Sequence, residues 1–204
     1  MNDSKNSDQV DRIDQQLHFL LEIDRLKSVE RRTLIADGSR HENSAEHSWH
    51  LAMMALLFAG SRSSGEIDRL KVLMMLLVHD IVEVDAGDTF CYDVEATQDQ
   101  EEREQRAADR LFGLLPADQG QELKSAWREF EDQATPEALL ANALDRLQPL
   151  LMNCSTEGHS WKKHRIRRQQ VVQRMMPIRE GLPDLWSRVE ARLDEAVDRG
   201  WLLP

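Results

Sequence analysis

The chain has 204 residues, a net charge of −11 and a pI of about 5.1. Its length suits one domain with a full hydrophobic core, and its negative average field disfavours a long polyanion such as DNA. Two cysteines are too few for a disulfide framework. The longest apolar run, Val72 to Val78, is far too short to span a membrane. We therefore expect a cytoplasmic protein with reduced thiols and with neither a membrane nor a nucleic-acid polymer as its partner.

The composition favours helices over a sheet. Leu, Ala, Glu and Arg are abundant, whereas Tyr occurs once. Residues 1–9 are polar and we expect a flexible N-terminus there. Apolar residues then recur at helical spacing over about 10–28. Residues 31–41 contain Gly38 and no apolar periodicity, so they predict a loop.

The next two helices are predicted to frame the site. Asn43 precedes Glu46 by three residues, a pattern typical of a capping box, so a helix should begin at Ser44 and run to about Ser61. After a Ser-Gly break, a second helix should span about 66–84. It is apolar nearly all round, which predicts a central, buried position.

The rest of the chain predicts a series of shorter helices. Thr135 followed by Pro136 is a strong helix start. After a loop at 88–98, the helices are expected at about 98–115, 118–132, 136 onward, 160–176 and 183–199. The whole predicts an all-α, single-domain bundle of about eight helices over residues 10–200.

An adjacent His79-Asp80 pair lies in the otherwise apolar second helix. A buried carboxylate without a partner costs several kcal/mol, and no Lys or Arg lies within one turn of Asp80. Glu83, Asp85 and Asp88 add three more acids nearby. These acids would repel each other unless a metal ion or basic side chains from elsewhere compensate.

Two further residues complete a candidate ligand set. His47 lies one turn into the first of the two framing helices, and Asp145 lies within a later apolar helix. Together with His79 and Asp80 they offer two imidazoles and two carboxylates. That set suits one divalent ion such as Mn, Fe, Co, Ni or Zn, with Mg less favoured by nitrogen ligands.

Other interpretations of the same residues stay open at this point. His47 could be a satisfied core histidine, and His50, three residues on, could replace it as a ligand. Asp145 could form an ordinary ion pair with Arg146. The zinc-protease pattern that His41-Glu42 begins is not completed, because position 45 is Ala.

The residues resemble the HD-domain phosphohydrolase superfamily, whose signature is H…HD…D on a helical bundle. Residues 79–88 also match the H-D-x-x-E-x-x-x-G-D pattern of its 5′-deoxynucleotidase branch. Residues 42–48 resemble the segment that opens the first metal helix of that branch. The similarity spans roughly residues 20–155 and implies the HD-type fold.

The resemblance implies a homodimeric enzyme that uses a divalent metal to remove the 5′-phosphate of deoxynucleoside monophosphates. By position, His47, His79, Asp80 and Asp145 become metal ligands. Glu83 becomes the residue that positions or deprotonates the attacking water, and Asp88 a second acid near the leaving oxygen or the sugar. The residues expected to contact the substrate are Arg32, Thr33 and Arg40. Arg32 falls where the branch has a phosphate-binding Arg, and Thr33 where some members have a Trp.

Three functions remain in competition. The first is a 5′-nucleotidase, and the second is a related hydrolase of a cyclic nucleotide, a triphosphate or an alarmone. The third is a non-catalytic domain that binds a metal or a nucleotide, which the intact Glu83 and Asp88 disfavour. The basic stretch 162–168 predicts a solvated helix face rather than a substrate clamp.

Overall fold

The computed structural model describes residues 2–59, 67–93 and 97–204. Within these ranges the α-helices are α1 Asn2–Ile23, α2 Ser44–Phe58, α3 Arg69–Val78, α4 Glu83–Ala86, α5 Gln100–Phe112, α6 Ala117–Asp132, α7 Pro136–Ser155, α8 His159–His164, α9 Arg168–Gly181 and α10 Trp186–Asp198. Short 3-10 helices occupy Asp24–Ser28, His79–Val82 and Pro183–Leu185. Two strands, β1 Glu30–Leu34 and β2 His41–Asn43, form an antiparallel hairpin. The predicted all-α class is confirmed.

Helix α7 lies at the centre of the bundle. It packs against α2, α3, α6 and α9, and its Leu140 and Leu144 are fully buried. Its predicted start is confirmed, because the Thr135 side chain accepts a hydrogen bond from the Ala138 amide at 3.2 Å and Pro136 occupies the first helical position. A side chain on the inner face of α7 is therefore surrounded by other helices.

The capping box that opens α2 is also confirmed. The Asn43 side chain accepts from the Glu46 amide at 3.0 Å, and the Glu46 carboxylate accepts from the Asn43 amide at 3.3 Å. Helix α2 ends at Phe58. The predicted end near Ser61 and the Ser-Gly break that follows lie outside the described residues.

The predicted loop at residues 31–41 is wrong, because these residues form most of the β1–β2 hairpin. Gly38 turns the chain at φ +72, and the Ile35 amide donates to the Arg40 carbonyl across the turn. The less exposed residues of β1 are Arg31, Thr33 and Leu34, of which only Leu34 is apolar. An alternation of apolar residues, the usual strand signal, was therefore absent from the sequence.

The predicted continuous helix over 66–84 is divided in the structure. Helix α3 ends at Val78, residues His79–Val82 form a 3-10 turn, and α4 closes at Gly87 with φ +74. A 3-10 turn has fewer residues per turn than an α-helix, so His79 and Asp80 take directions that a continuation of α3 would not give them. The prediction that this helix is buried all round is also wrong, because Leu70 and Leu77 are 70% and 50% exposed.

Two other predicted boundaries differ from the structure. Helix α1 begins at Asn2, so helix extends through the residues for which we predicted flexibility. The predicted helix 160–176 is two helices, because Arg165 adopts a left-handed conformation, φ +54, between α8 and α9. None of the helices in the described ranges is long and apolar enough to cross a bilayer.

Candidate metal and phosphate site

The structure brings the four predicted metal ligands together, although they come from three separate elements. His47 projects from α2, His79 and Asp80 from the 3-10 turn, and Asp145 from α7, and all four are buried. His47, His79 and Asp80 offer ligand atoms that all lie within 4.8 Å of one another. Asp145 joins them through its Oδ1, 2.8 Å from His47 Nε2 and 3.8 Å from His79 Nε2.

Both imidazoles turn the same nitrogen toward the centre of this cluster. His79 Nδ1 lies 3.0 Å from the carbonyl oxygen of Leu76, which fixes Nδ1 as the donor. His79 Nε2 is buried and makes no hydrogen bond with the residues that the structure describes, although Asp80 Oδ1 is 3.0 Å away. Such an orphaned nitrogen next to carboxylates is the donor arrangement that a divalent transition metal requires. The residues present therefore fit a metal ion.

The orientation of His47 depends on a buried chain of hydrogen bonds that the sequence did not indicate. His47 Nδ1 lies 3.1 Å from Gln148 Oε1, and Gln148 Nε2 donates to Glu42 Oε1 at 2.6 Å. Gln148 is fully buried and Glu42 nearly so. This chain makes Nδ1 the donor of His47 and leaves Nε2 facing the cluster.

We expect Gln148→Leu to weaken metal binding about 10- to 100-fold, because His47 loses the acceptor that fixes its tautomer and ring orientation. A competition titration against a chelator measures this affinity. Asn142→Leu is the matched control, because Asn142 is a buried amide of the same helix that donates to the backbone carbonyls of Phe130 and Ala138. A control that loses metal equally would contradict the proposed role of Gln148.

Arg31 supplies the cation that the sequence did not place near Asp80. Its Nη1 donates to Asp80 Oδ2 at 2.8 Å and lies 4.0 Å from Glu83 Oε1. Burial lowers the pKa of this guanidinium, but the charges of Asp80, Glu83, Asp88 and Asp145 outweigh burial and raise it. Arg31 binds one oxygen of Asp80 and leaves Oδ1 facing His79.

The excess of acids remains even with Arg31 in place. Burial of His79 lowers its pKa, but Asp80 and Asp145 outweigh this and raise the pKa to about 9. The pKa of Glu83 lies well above its usual range, because the side chain is buried and lies near Asp80. Burial also raises the pKa of Asp88. Negative charge is therefore concentrated around His79 and Glu83, and a divalent cation bound there would be stabilised by this charge.

Glu83 is positioned by the start of α2. The Ser44 hydroxyl donates to Glu83 Oε2 at 2.5 Å, and both side chains are buried. Ser44 is the first residue of α2, three positions before His47. The capped start of α2 therefore carries both His47, a candidate metal ligand, and Ser44, the hydrogen-bond partner of the candidate base Glu83.

A cavity of about 1030 Å³ opens over the cluster and is lined by Arg31, His79, Asp80, Glu83, Asp88 and Asp145, among other residues. Its size is near the upper end of the range for small-molecule sites. A smaller cavity of about 100 Å³ adjoins it and is lined by Arg32 and Thr33. Arg40 is instead paired with Glu46 at the surface, at 2.6 Å, and lines neither cavity.

Three residues of this site were not predicted from the sequence. Arg31 lies next to the predicted Arg32 but was not itself proposed, and neither Ser44 nor Gln148 was considered as a partner of the site. A recognised hairpin would have distinguished Arg31 from Arg32, because successive strand residues face opposite sides. The alternative pairing of Asp145 with Arg146 is also present, at 2.5 Å between Oδ2 and Nη1. It uses the oxygen that does not face the histidines.

The chain is similar in sequence to known proteins. The family model described as HD domain matches residues 23–186. The 5′-deoxynucleotidase HDDC2 of Dictyostelium discoideum is 29% identical over 140 residues, 66% of this chain and 74% of that protein. Its human counterpart is 28% identical over 151 residues, 74% of this chain and 72% of that protein.

Solved structures agree with this assignment. A crystal structure from Magnetospirillum magnetotacticum MS-1, titled as a predicted metal-dependent phosphohydrolase, superposes with a TM-score of 0.90 and 49% identity over 95% of this chain and 96% of that one. The PH0347 protein of Pyrococcus horikoshii OT3 shares the fold alone, with a TM-score of 0.59, 20% identity and coverage of 90% and 99%. The resemblance predicted from the His47, His79-Asp80 and Asp145 signature is thus confirmed, and the chain belongs to the HD domain family.

Proposed function

We propose that this chain removes the 5′-phosphate of deoxynucleoside monophosphates. Its membership of the HD domain family and its relatives make it a metal-dependent phosphohydrolase that acts on nucleotides. The observation that carries the finer proposal is the convergence of four candidate ligands and a buried glutamate under one cavity of about 1030 Å³. The names of the curated 5′-deoxynucleotidases support this choice of substrate.

In this proposal His47, His79, Asp80 and Asp145 hold one divalent ion. When bound, the ion acts as a Lewis acid on a phosphate oxygen and lowers the pKa of a nearby water. Arg31 neutralises part of the negative charge of Asp80. It also presents a guanidinium to the cavity, where it can stabilise the charge that develops on the phosphate.

Glu83 is proposed to accept the proton of the attacking water. It lies with Asp80 in the lining of the large cavity, and the Ser44 hydroxyl donates a hydrogen bond to one of its oxygens. Asp88 lines both cavities and is proposed to interact with the sugar or the leaving oxygen. Arg32 and Thr33 line the smaller cavity and are proposed to contact the substrate there. Arg40 is left out of the proposal because it is paired with Glu46.

A phosphate-release panel tests the function. The protein is incubated with deoxynucleoside and ribonucleoside monophosphates, triphosphates and cyclic nucleotides, each with Mn, Co or Mg. We expect release from 5′-deoxynucleoside monophosphates. Release from triphosphates or cyclic nucleotides alone would replace the proposed substrate class, and firm metal binding with no hydrolysis would contradict the enzyme itself.

We further propose that the chain forms a homodimer in the cytoplasm. Helix α2 exposes a stripe of large apolar residues at helical spacing: Trp49, Met53, Leu56 and Leu57. The neighbouring α3 exposes Leu70 and Leu77. An apolar face of this kind is typical of an interaction surface, and α2 carries no charged side chain after Glu46 in its first turn. A second copy of the same apolar face suits it.

We expect Leu57→Lys to convert a dimer to a monomer, because Leu57 is 70% exposed on that stripe and a buried, unpaired lysine disfavours association. Size-exclusion chromatography with light scattering measures the mass. Gln121→Lys, which adds the same charge to the exposed face of α6, should leave the mass unchanged. A wild-type monomer would refute the dimer.

A further inference from the structure

Two further arginines lie at the junction of the two cavities, beyond the residues to which the proposed function gives a role. Arg146 follows Asp145 on α7, and Arg174 lies on α9. Both side chains line the large cavity over the metal cluster and the smaller cavity beside it. They approach the site from the side of α7 and α9, whereas Arg31 approaches it from β1.

The two guanidiniums have few partners. Arg146 donates to Asp145 Oδ2 at 2.5 Å, and the other oxygen of that carboxylate is already shared with His47. Arg174 makes neither a hydrogen bond nor an ion pair with any residue that the structure describes. Both are partly buried. Among the described residues, Asp145 is the one carboxylate that pairs with either arginine, and it is shared with His47.

Their proximity is unfavourable without an anion. Both guanidinium groups line the same two cavities, and the smaller of these has a volume of only about 100 Å³. Like charges in a partly buried setting repel each other. An anion between them would remove this repulsion and provide acceptors for several N–H groups.

The lining of the smaller cavity indicates which anion fits. Among the described residues, its charged lining consists of four arginines, Arg31, Arg32, Arg146 and Arg174, and one acid, Asp88. Arg31 and Arg146 are paired with Asp80 and Asp145, so Arg32 and Arg174 supply the positive charge that these two pairs leave, in a chain with a net charge of −11. Guanidinium groups match the oxygens of a phosphate group in geometry and in charge.

We propose that Arg146 and Arg174 form a phosphate-binding subsite at the junction of the two cavities. The phosphate is either the ester that is cleaved or a second phosphate of the same nucleotide. The choice between these two rests on the proposed function, whereas the subsite itself does not. In either case α9, which lies after the segment that carries the HD signature, contributes directly to substrate binding.

The test uses the full-length, metal-loaded protein and inorganic phosphate as the probe, measured by isothermal titration calorimetry. We expect Arg174→Gln to weaken phosphate binding by at least about tenfold, because a charge-assisted hydrogen bond is lost. Arg174→Lys should retain part of the affinity, because lysine keeps the positive charge but lacks the planar guanidinium group with its several N–H donors. Arg174 has no hydrogen-bond or ion-pair partner in the described part of the chain, so the fold should survive its replacement, which circular dichroism checks.

Arg179→Gln is the matched control, because Arg179 lies on the same helix, stacks on Trp186 and lines neither cavity. It should bind phosphate as the wild type does. Unchanged phosphate affinity in Arg174→Gln, or an equal loss in the control, would overturn the subsite. Because the titration measures binding and not turnover, its result can be interpreted even if no monophosphate is hydrolysed.

Kinetics then identify the phosphate that is bound. If the subsite holds the cleaved ester, Arg174→Gln raises KM equally for a deoxynucleoside 5′-monophosphate and for a nucleoside 3′,5′-bisphosphate. If it holds a second phosphate, only the bisphosphate loses affinity. Either result supports a phosphate subsite, and no change in KM for either substrate would contradict it.

Discussion

Replacing Asp80 with alanine should abolish metal binding and, with it, phosphate release. Asp80 provides the Oδ1 that faces His79 Nε2 at 3.0 Å, and it is the acid that Arg31 contacts most closely. Without it, Arg31 is left among the remaining candidate ligands and adds positive charge where a cation must bind. The loss should exceed the 10- to 100-fold expected for a residue that only orients a ligand. Metal content by elemental analysis after gel filtration measures the effect.

Asp85→Ala provides the matched control for this experiment. Asp85 lies five residues on, in α4, but it is exposed and pairs with Arg110 at the surface. Loss of an exposed pair of this kind costs at most about 1 kcal/mol. The Asp85 variant should keep its metal and its activity. Full metal content in Asp80→Ala would show that the ligand assignment is wrong.

Some residues of the site could be predicted from the sequence, because a pattern in the residues next to them indicates where they lie. The capping box at Asn43 fixed the register of α2 and so placed His47 on its inner face. The apolar run before His79 predicted that Asp80 would be buried, and it is. Both arguments depend on neighbours in the chain, which is why they succeeded.

The partners that come from distant segments could not be predicted in this way. Arg31 meets Asp80 across 49 positions of sequence, and Gln148 meets Glu42 across 106. Neither pair has a periodicity or a spacing of its own. The hairpin that presents Arg31 turns polar side chains inward, so its strands carried no apolar alternation.

The prediction that α3 is buried was wrong for a different reason, which lies in its composition. An all-round apolar helix indicates that every face meets a hydrophobic neighbour, but it does not say whether that neighbour belongs to the same chain. Leu70 and Leu77 are exposed here, on a helix that packs against α2. The sequence pattern is therefore consistent with a buried helix in the proposed dimer rather than in the monomer.

Glu83→Gln should separate metal binding from catalysis. Glutamine keeps an oxygen that accepts from the Ser44 hydroxyl, so the side chain should stay in place. It cannot accept a proton from water, and the loss of a general base typically lowers the rate by about 10² to 10⁴. We expect a normal metal content, a similar KM and a kcat reduced within that range.

The environment of Glu83 makes this result informative about the metal as well. Its pKa lies well above the usual range because burial and the charge of Asp80 disfavour the carboxylate, against the opposing influence of Arg31 and Ser44. A protonated glutamate cannot act as a base. A divalent cation beside Asp80 would favour the ionised form of Glu83, which is the form that can accept a proton.

Glu101→Gln serves as the control for the glutamate variant, because Glu101 lines the same large cavity but is exposed at the start of α5. It should retain wild-type kcat and metal content. If Glu83→Gln also retains wild-type kcat, Glu83 does not act as the base and the attacking water must be deprotonated by another group. If it loses the metal instead, Glu83 belongs to the ligand set, and its proposed role as a base separate from the four candidate ligands is wrong.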